Sequence, residues 1–308
     1  MSLKYEILKA AVRASGLKKR MAELSPDELI ALKKKQNAKN PIPVLKDPDF
    51  DIRLCAVDGF PVMKMIHKEK TDCACMFIIG GGMVSAPRPG SIHKALKFAK
   101  ETGLDLYIPY YPLCTDYPVS RAYHMIAETW FAMKQEYEAE KISLLGTSSG
   151  GNLALGLIPY LNENFLDEER PGYIMAISPG TCIDTQEEEK RVYELDAKDV
   201  IIPAEYMKKA AEVMKADDPT VRDYMIHLQN GNFENCPKVT LIYGTEETLY
   251  GFAPSFIRAF EKYHVDYELI EGEGLFHVYP VFPVIKAAKE GWDDMIERMK
   301  KYGKGKRQ

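Results

Sequence analysis

From residue 74 onward the chain repeats one pattern, a short and near-continuous apolar run followed by a stretch of helical spacing. The runs stand at 74–79, 106–111, 142–145, 173–177, 239–243 and 267–270, and the helical stretches at 91–102, 119–137, 152–161, 252–263 and 281–299. A strand that is apolar at consecutive positions is buried on both faces, and strands alternating with helices build a parallel sheet wrapped by helices. The expected fold class is therefore α/β, a mostly parallel central sheet flanked by helices. Upstream, 54–57 and 62–67 flank the turn pair Asp58-Gly59 and read as an antiparallel hairpin at one edge of that sheet.

Before the hairpin, Ile7, Leu8, Val12, Leu17, Met21, Leu24, Leu29, Ile30 and Leu32 recur at helical spacing among lysines and glutamates, which predicts two or three short helices. Ser25-Pro26-Asp27-Glu28 supplies an N-cap, a proline at the first helical position and acids in the first turn, so a helix starts there. Residues 37–49, with their prolines and asparagines, read as a linker. The interval between the runs at 173 and 239 is longer than one crossover helix needs, and its charged part, 185–217, reads as an excursion above the sheet and a lid candidate. The expected organisation is a helical cap segment over 1–45 and a main domain over 46–300, with a basic, frayed end at 300–308.

With 46% apolar and 28% charged residues among 308, the chain can bury a sizeable core. Its net charge of -4 is spread over interspersed acids and bases, which leaves no basic field for nucleic acid or an anionic membrane. No apolar stretch approaches the roughly 18 residues that span a bilayer, and the lysine-rich start lacks the apolar core of a signal peptide. Expected partners thus exclude nucleic acid and a membrane span, and the expected location is cytoplasmic. The cysteines Cys55, Cys73, Cys75, Cys114, Cys182 and Cys236 fall mostly in apolar runs and read as reduced thiols. Cys73-Ala74-Cys75 has the wrong spacing for zinc and no second pair, so these two read as small buried strand residues.

Chemistry concentrates after the strands. Gly146-Thr147-Ser148-Ser149-Gly150 follows the run 142–145 at once and precedes a helical stretch. In such a strand-to-helix turn the serine sits at the tip under backbone strain, and small neighbours are needed because side chains would collide with the strand and helix. A serine hydroxyl attacks only when a base takes its proton, and the base needs an acid to orient it. Of six histidines, His277 alone lies in a loop after a late strand and before a helix, hence at the carboxyl edge of the sheet where sites of open α/β folds lie. The acid should also follow a strand, and Gly244-Thr245-Glu246-Glu247 follows 239–243. Only one of two adjacent glutamates can face the histidine, and Glu247 is favoured over Glu246. Gly80-Gly81-Gly82 follows the run 74–79 and can aim backbone N–H groups at an oxyanion without side chains in the way. It lacks the lysine and Ser/Thr of a phosphate loop and fails the dinucleotide spacing.

These motifs, with Ile79-Gly80-Gly81-Gly82-Met83, Tyr111-Pro112-Leu113, Gly146-Thr147-Ser148-Ser149-Gly150-Gly151-Asn152, Ser178-Pro179 and Gly274-Leu275-Phe276-His277, resemble the hormone-sensitive-lipase-like branch of the α/β-hydrolases over about residues 50–300. That resemblance implies an α/β-hydrolase fold with a small helical cap, a Ser148, Glu247, His277 triad, an oxyanion hole from the N–H groups of Gly81, Gly82 and Ser149, and an ester-cleaving activity. It also implies small-molecule esters with short acyl chains as substrates, selected by the cap and by Met83, Tyr110 and Tyr111. The chain departs from the family pattern at Ile79, where a histidine usually precedes the glycines, and at Thr147-Ser148-Ser149, where Asp-Ser-Ala is usual. No metal or organic cofactor is required. Deacetylation of sugars and peptide cleavage by the same triad are alternatives, as is ligand binding on a hydrolase scaffold, and a homodimer is a candidate assembly.

Overall fold

The computed structural model describes residues 3–304. The chain opens with helices α1 (Leu3–Ala14), α2 (Leu17–Glu23) and α3 (Pro26–Asn37). Ser25 caps α3 through the expected reciprocal bonds: its hydroxyl accepts from the Glu28 N–H at 3.3 Å, and Glu28 accepts from the Ser25 N–H at 2.9 Å. Two antiparallel strands follow, β1 (Phe50–Val57) and β2 (Phe60–His67). Asp58 and Gly59 between them both have positive φ, at 50° and 79°, the combination a two-residue hairpin turn demands.

The repeating part then runs β3 (Ala74–Ile78), α4 (Pro89–Thr102), β4 (Asp105–Pro109), α5 (Val119–Lys134), β5 (Ile142–Thr147), α6 (Ser149–Asn164) and β6 (Tyr173–Ile177). Helices α7 (Gln186–Asp196), α8 (Ala204–Val213) and the single turn α9 (Asp223–Ile226) fill the long interval before β7 (Lys238–Gly244), α10 (Ala253–Lys262), β8 (Tyr267–Gly272) and α11 (Lys286–Tyr302). The strands form one sheet in the order β1-β2-β4-β3-β5-β6-β7-β8. The hairpin lies at one edge, β2 runs antiparallel to β4, and every pairing from β4 through β8 is parallel.

Strands β3, β4, β5 and β6 are buried at every position, which is why their sequences lack alternation. One core face is filled from α5, α6 and α10, with Trp130, Leu153 and Phe256 among its residues. The opposite face is filled from α4 and α11, with Phe98, Trp292 and Met295. Cys75 lies within β3, while Cys73 is buried but just ahead of the strand and not on it, and all six cysteines are free thiols.

Element ends shift by a few residues from the sequence expectation, and two shifts have clear causes. The last helix starts at Lys286 instead of 281, because Pro283 disfavours helical backbone in the residue before it. It continues to Tyr302, so Lys300 is helical and not frayed, since Met295 and Met299 keep that face buried. Residues 305–308 of the expected frayed end lie outside the described residues.

The amino-terminal helices and the 185–217 excursion meet. Helices α2 and α3 pack on α8, the Lys18 ammonium donates to the Asp199 carbonyl at 2.9 Å, and the Lys209 ammonium donates to the Ala22 carbonyl at 3.0 Å. Together they roof the carboxyl edge of the sheet. Among the described residues no helix is long and apolar enough to cross a membrane.

Candidate active site

Ser148 stands between β5 and α6 with φ 52° and ψ -129°. That backbone region costs a non-glycine residue on the order of 1–3 kcal/mol and persists only where the surroundings impose it. Here they do: the Ser148 N–H donates to the Ile177 carbonyl on β6 at 2.8 Å. The turn is also too tight for flanking side chains, since a Cβ at Gly150 would lie 2.0 Å from the Ile78 carbonyl oxygen and one at Gly146 would lie 2.2 Å from the Gly150 carbonyl oxygen.

His277 Nε2 is 3.0 Å from Ser148 Oγ, and its Nδ1 makes a short hydrogen bond to Glu247 Oε2. A carboxylate at Nδ1 holds the proton there and leaves Nε2 free to accept. Glu247 is completely buried. Its second oxygen, Oε1, accepts from the Gly244 N–H at 2.9 Å and from the Ser178 hydroxyl at 2.7 Å. The Ser178 oxygen in turn accepts from the Val278 N–H at 2.9 Å, so one serine ties the acid to the loop that carries the histidine. Val278 has φ 51°, a costly conformation for a β-branched residue. Glu246 points the other way and accepts from Lys9 Nζ at 3.0 Å.

The glycine loop is held by hydroxyls. Ser149 Oγ accepts from the Gly81 N–H at 3.0 Å and the Met83 N–H at 3.3 Å, and Thr147 Oγ1 accepts from the Gly80 N–H at 3.1 Å. The Tyr111 hydroxyl donates to the Ile79 carbonyl at 3.1 Å, and the Tyr206 hydroxyl, from α8, donates to the Gly82 carbonyl at 2.7 Å. Burial pushes Tyr111 up to about 12 and raises Tyr206 further, so both stay protonated and remain donors. This differs from expectation at Gly81, whose N–H is taken by the Ser149 side chain. The N–H groups of Gly82 and Ser149 make no hydrogen bond to the described residues and are the donors left open beside Ser148.

Ser148, His277, Gly81, Gly82 and Met83 all line one cavity of about 380 Å³. Most of its remaining wall is apolar, and part of it comes from the roof, including Leu29 and Met207. Tyr110 and Tyr111, expected to contact substrate, are not part of that wall. Tyr111 lies behind the glycine loop as its prop, and Tyr110 is buried in the core on the α4 and α11 side of the sheet. Among the described residues no group of three His, Cys, Asp or Glu side chains is placed to hold a metal ion.

Two residues that shape the site had no assigned part in the sequence reading. Ser178 follows β6 directly, so the positional rule that located Glu247 and His277 also points to it. Tyr206 lies 124 residues from its partner Gly82, and nothing local marks it.

This strand order, with a strained serine at the β5-to-α6 turn and a histidine loop after the last strand, defines an α/β-hydrolase. A family model described as alpha/beta hydrolase fold matches residues 75–281, and the chain belongs to that family. Among solved structures it is similar to an esterase from the bacterial hormone-sensitive lipase family, at TM-score 0.78 and 18% identity over 98% of this chain and 99% of that one. It is also similar to EstE5, in a crystal soaked with p-nitrophenyl butyrate, at TM-score 0.79 and 16% identity over 98% and 99%. An esterase/lipase from an uncultured bacterium matches at TM-score 0.77 and 16% identity over the same shares. No curated protein sequence matches the chain significantly.

Proposed function

We propose that the protein is a carboxylic ester hydrolase acting through Ser148, His277 and Glu247 on esters with short acyl chains. The observation that carries this reading is the unbroken line of contacts from Ser148 Oγ to His277 Nε2, and from His277 Nδ1 to the buried Glu247 carboxylate. Ser148 Oγ attacks the carbonyl carbon while its proton passes to His277 Nε2, and the carbonyl π pair moves onto oxygen. The Gly82 and Ser149 N–H groups stabilise that oxyanion. On collapse the bond to the alcohol oxygen breaks and the alcohol leaves with the proton from His277. Water then attacks the acyl-enzyme with the same base, and Ser148 recovers its proton as the acid departs. The Glu247 carboxylate holds the tautomer and balances the imidazolium.

An apolar acyl group is supported by the mostly apolar wall of the cavity, and a short one by a structural neighbour's having been soaked with a butyrate ester. Hydrolysis of p-nitrophenyl esters of rising acyl length, beside Ser148→Ala and with fluorophosphonate labelling read by mass spectrometry, tests the whole reading. Expected are label on Ser148, turnover falling at least about 10⁴-fold in the variant, and a maximum at short chains. A folded protein that neither turns over nor takes label overturns it in favour of ligand binding.

A further inference from the structure

Helix α3 presents Leu29, Lys33 and Asn37 four residues apart, hence on one face. Leu29 is 1% exposed and lines the cavity. Asn37 clamps the segment after the glycines, donating to the Val84 carbonyl at 2.9 Å and accepting from the Ala86 N–H at 3.1 Å. Lys33, between them, is therefore held over the cavity and is itself part of its wall, as is Arg88 just before α4. No aspartate or glutamate lines this cavity. Neither Lys33 nor Arg88 forms a side-chain hydrogen bond or ion pair with the described residues. A third cation, Lys94, stands 3.6 Å over the ring of Phe282, another wall residue.

We propose that this site selects esters that carry a second, anionic group, a carboxylate at the far end of an apolar chain, bound between Lys33 and Arg88. The proposal rests on the hydrolase reading and adds its substrate class. A mostly apolar chamber with two cations in its wall, Lys33 half-buried and Arg88 exposed, and no acid is complementary to a ligand that is apolar along its length and negative at one end. Burial, and then the nearby Arg88 guanidinium, lower the Lys33 ammonium from its usual range. Even half-buried, a charge without a partner loses part of its hydration, and a bound carboxylate offsets that loss. Unlike charges that pair within the protein, these two are left for something that enters.

The test compares p-nitrophenyl hemiesters of glutaric, adipic and suberic acid with neutral p-nitrophenyl alkanoates of matched length. The wild type should favour the hemiester by on the order of tenfold in kcat/KM, and the preference should shrink with added salt. Lys33→Met and Arg88→Gln should each lower the ratio, and the double variant should bring it to one or below. Lys33→Met removes an unpaired half-buried charge and Arg88 is exposed, so both should fold. Lys35→Met, on the exposed side of the same helix, should leave the ratio where it was. Neutral esters turned over with no preference for hemiesters, or a preference that survives the double variant, overturns this proposal alone. No turnover of either series overturns the hydrolase reading and this one with it.

Discussion

Glu247 and His277 sit on loops leaving the adjacent parallel strands β7 and β8, and their positions are fixed mainly by backbone N–H groups and by Ser178, which is itself at a strand end. The glycine loop after β3 is fixed differently. Four hydroxyls from different elements hold it: Thr147 and Ser149 at the serine turn, Tyr111 after β4 and Tyr206 from the roof. The proposed acid–base half thus belongs to the sheet, while the proposed oxyanion half depends on side chains and, through Tyr206, on the seating of the roof helices. Where the related family uses a histidine before the glycines, this chain has Ile79 and distributes the support.

The largest effect should come from breaking the sheet-borne half. Glu247→Gln keeps the shape but removes the charge that holds the imidazole tautomer, and kcat should fall on the order of 10³–10⁴-fold. Glu246→Gln, one residue away, should stay within about twofold of wild type, because that carboxylate faces Lys9. Ester kinetics on the two variants checks both, and the opposite ranking would show that the acid is misassigned.

Next should come Ser149→Ala, which leaves the Ser149 N–H in place but frees the Gly81 and Met83 N–H groups from their common acceptor. Loss of loop order should lower kcat about 10–100-fold, somewhat less than removal of an oxyanion donor itself. KM and the stoichiometry of fluorophosphonate labelling should change little, and a purely structural part for this hydroxyl would lower the labelled fraction together with kcat. Tyr206→Phe should cost less, about threefold to tenfold in kcat, since the ring still fills its place and one hydrogen bond is lost. Combined with Ser149→Ala it should be less than additive, because both act on one loop. Full additivity would mean that the roof and the elbow do not share that task.

Legibility divides along the same line. The meeting of Ser148, His277 and Glu247 can be read from the chain because each follows an apolar run that is plainly a strand, and because few residue types can fill each part of the proposed triad. The glycines are equally visible, but which of their N–H groups stays open depends on where the Ser149 side chain turns, and no pattern in the sequence states that. Tyr110 and Tyr111 sit at a strand exit near the glycines, so contact with substrate is a natural expectation. Their rings instead pass behind the loop or into the opposite core, a choice made by packing. Tyr206 and Lys33 are invisible for a related reason: both lie on roof helices whose placement over the sheet is set by long-range contacts such as Lys209 to the Ala22 carbonyl. The inner strands β3 to β6 are marked at every residue by burial on two faces, whereas the start of the half-exposed edge strand β1 at Phe50, four residues before the expected 54, carries no such mark, and a helix end turns on single residues such as Pro283.

The last expected effect separates the two adjacent glutamates by stability instead of rate. Lys9 is 7% exposed on α1, and its ammonium lies 3.0 Å from Glu246 and 3.3 Å from Glu6. It therefore fastens the first helix to the very loop that presents Glu247. Glu246→Gln removes one of two acidic partners of a buried ammonium, and Glu6 keeps the charge from being stranded. The cost should be about 1–2 kcal/mol, read as a lower midpoint in urea with an unchanged slope. Lys9→Met should cost less, because the methionine keeps the contact with the Tyr5 ring over which the ammonium sits at 4.8 Å and Glu246 is open enough to be hydrated. If instead Glu246→Gln leaves the midpoint unmoved but lowers kcat, the first helix matters for holding the acid loop in its working position, and the cap would then bear on both halves of the site.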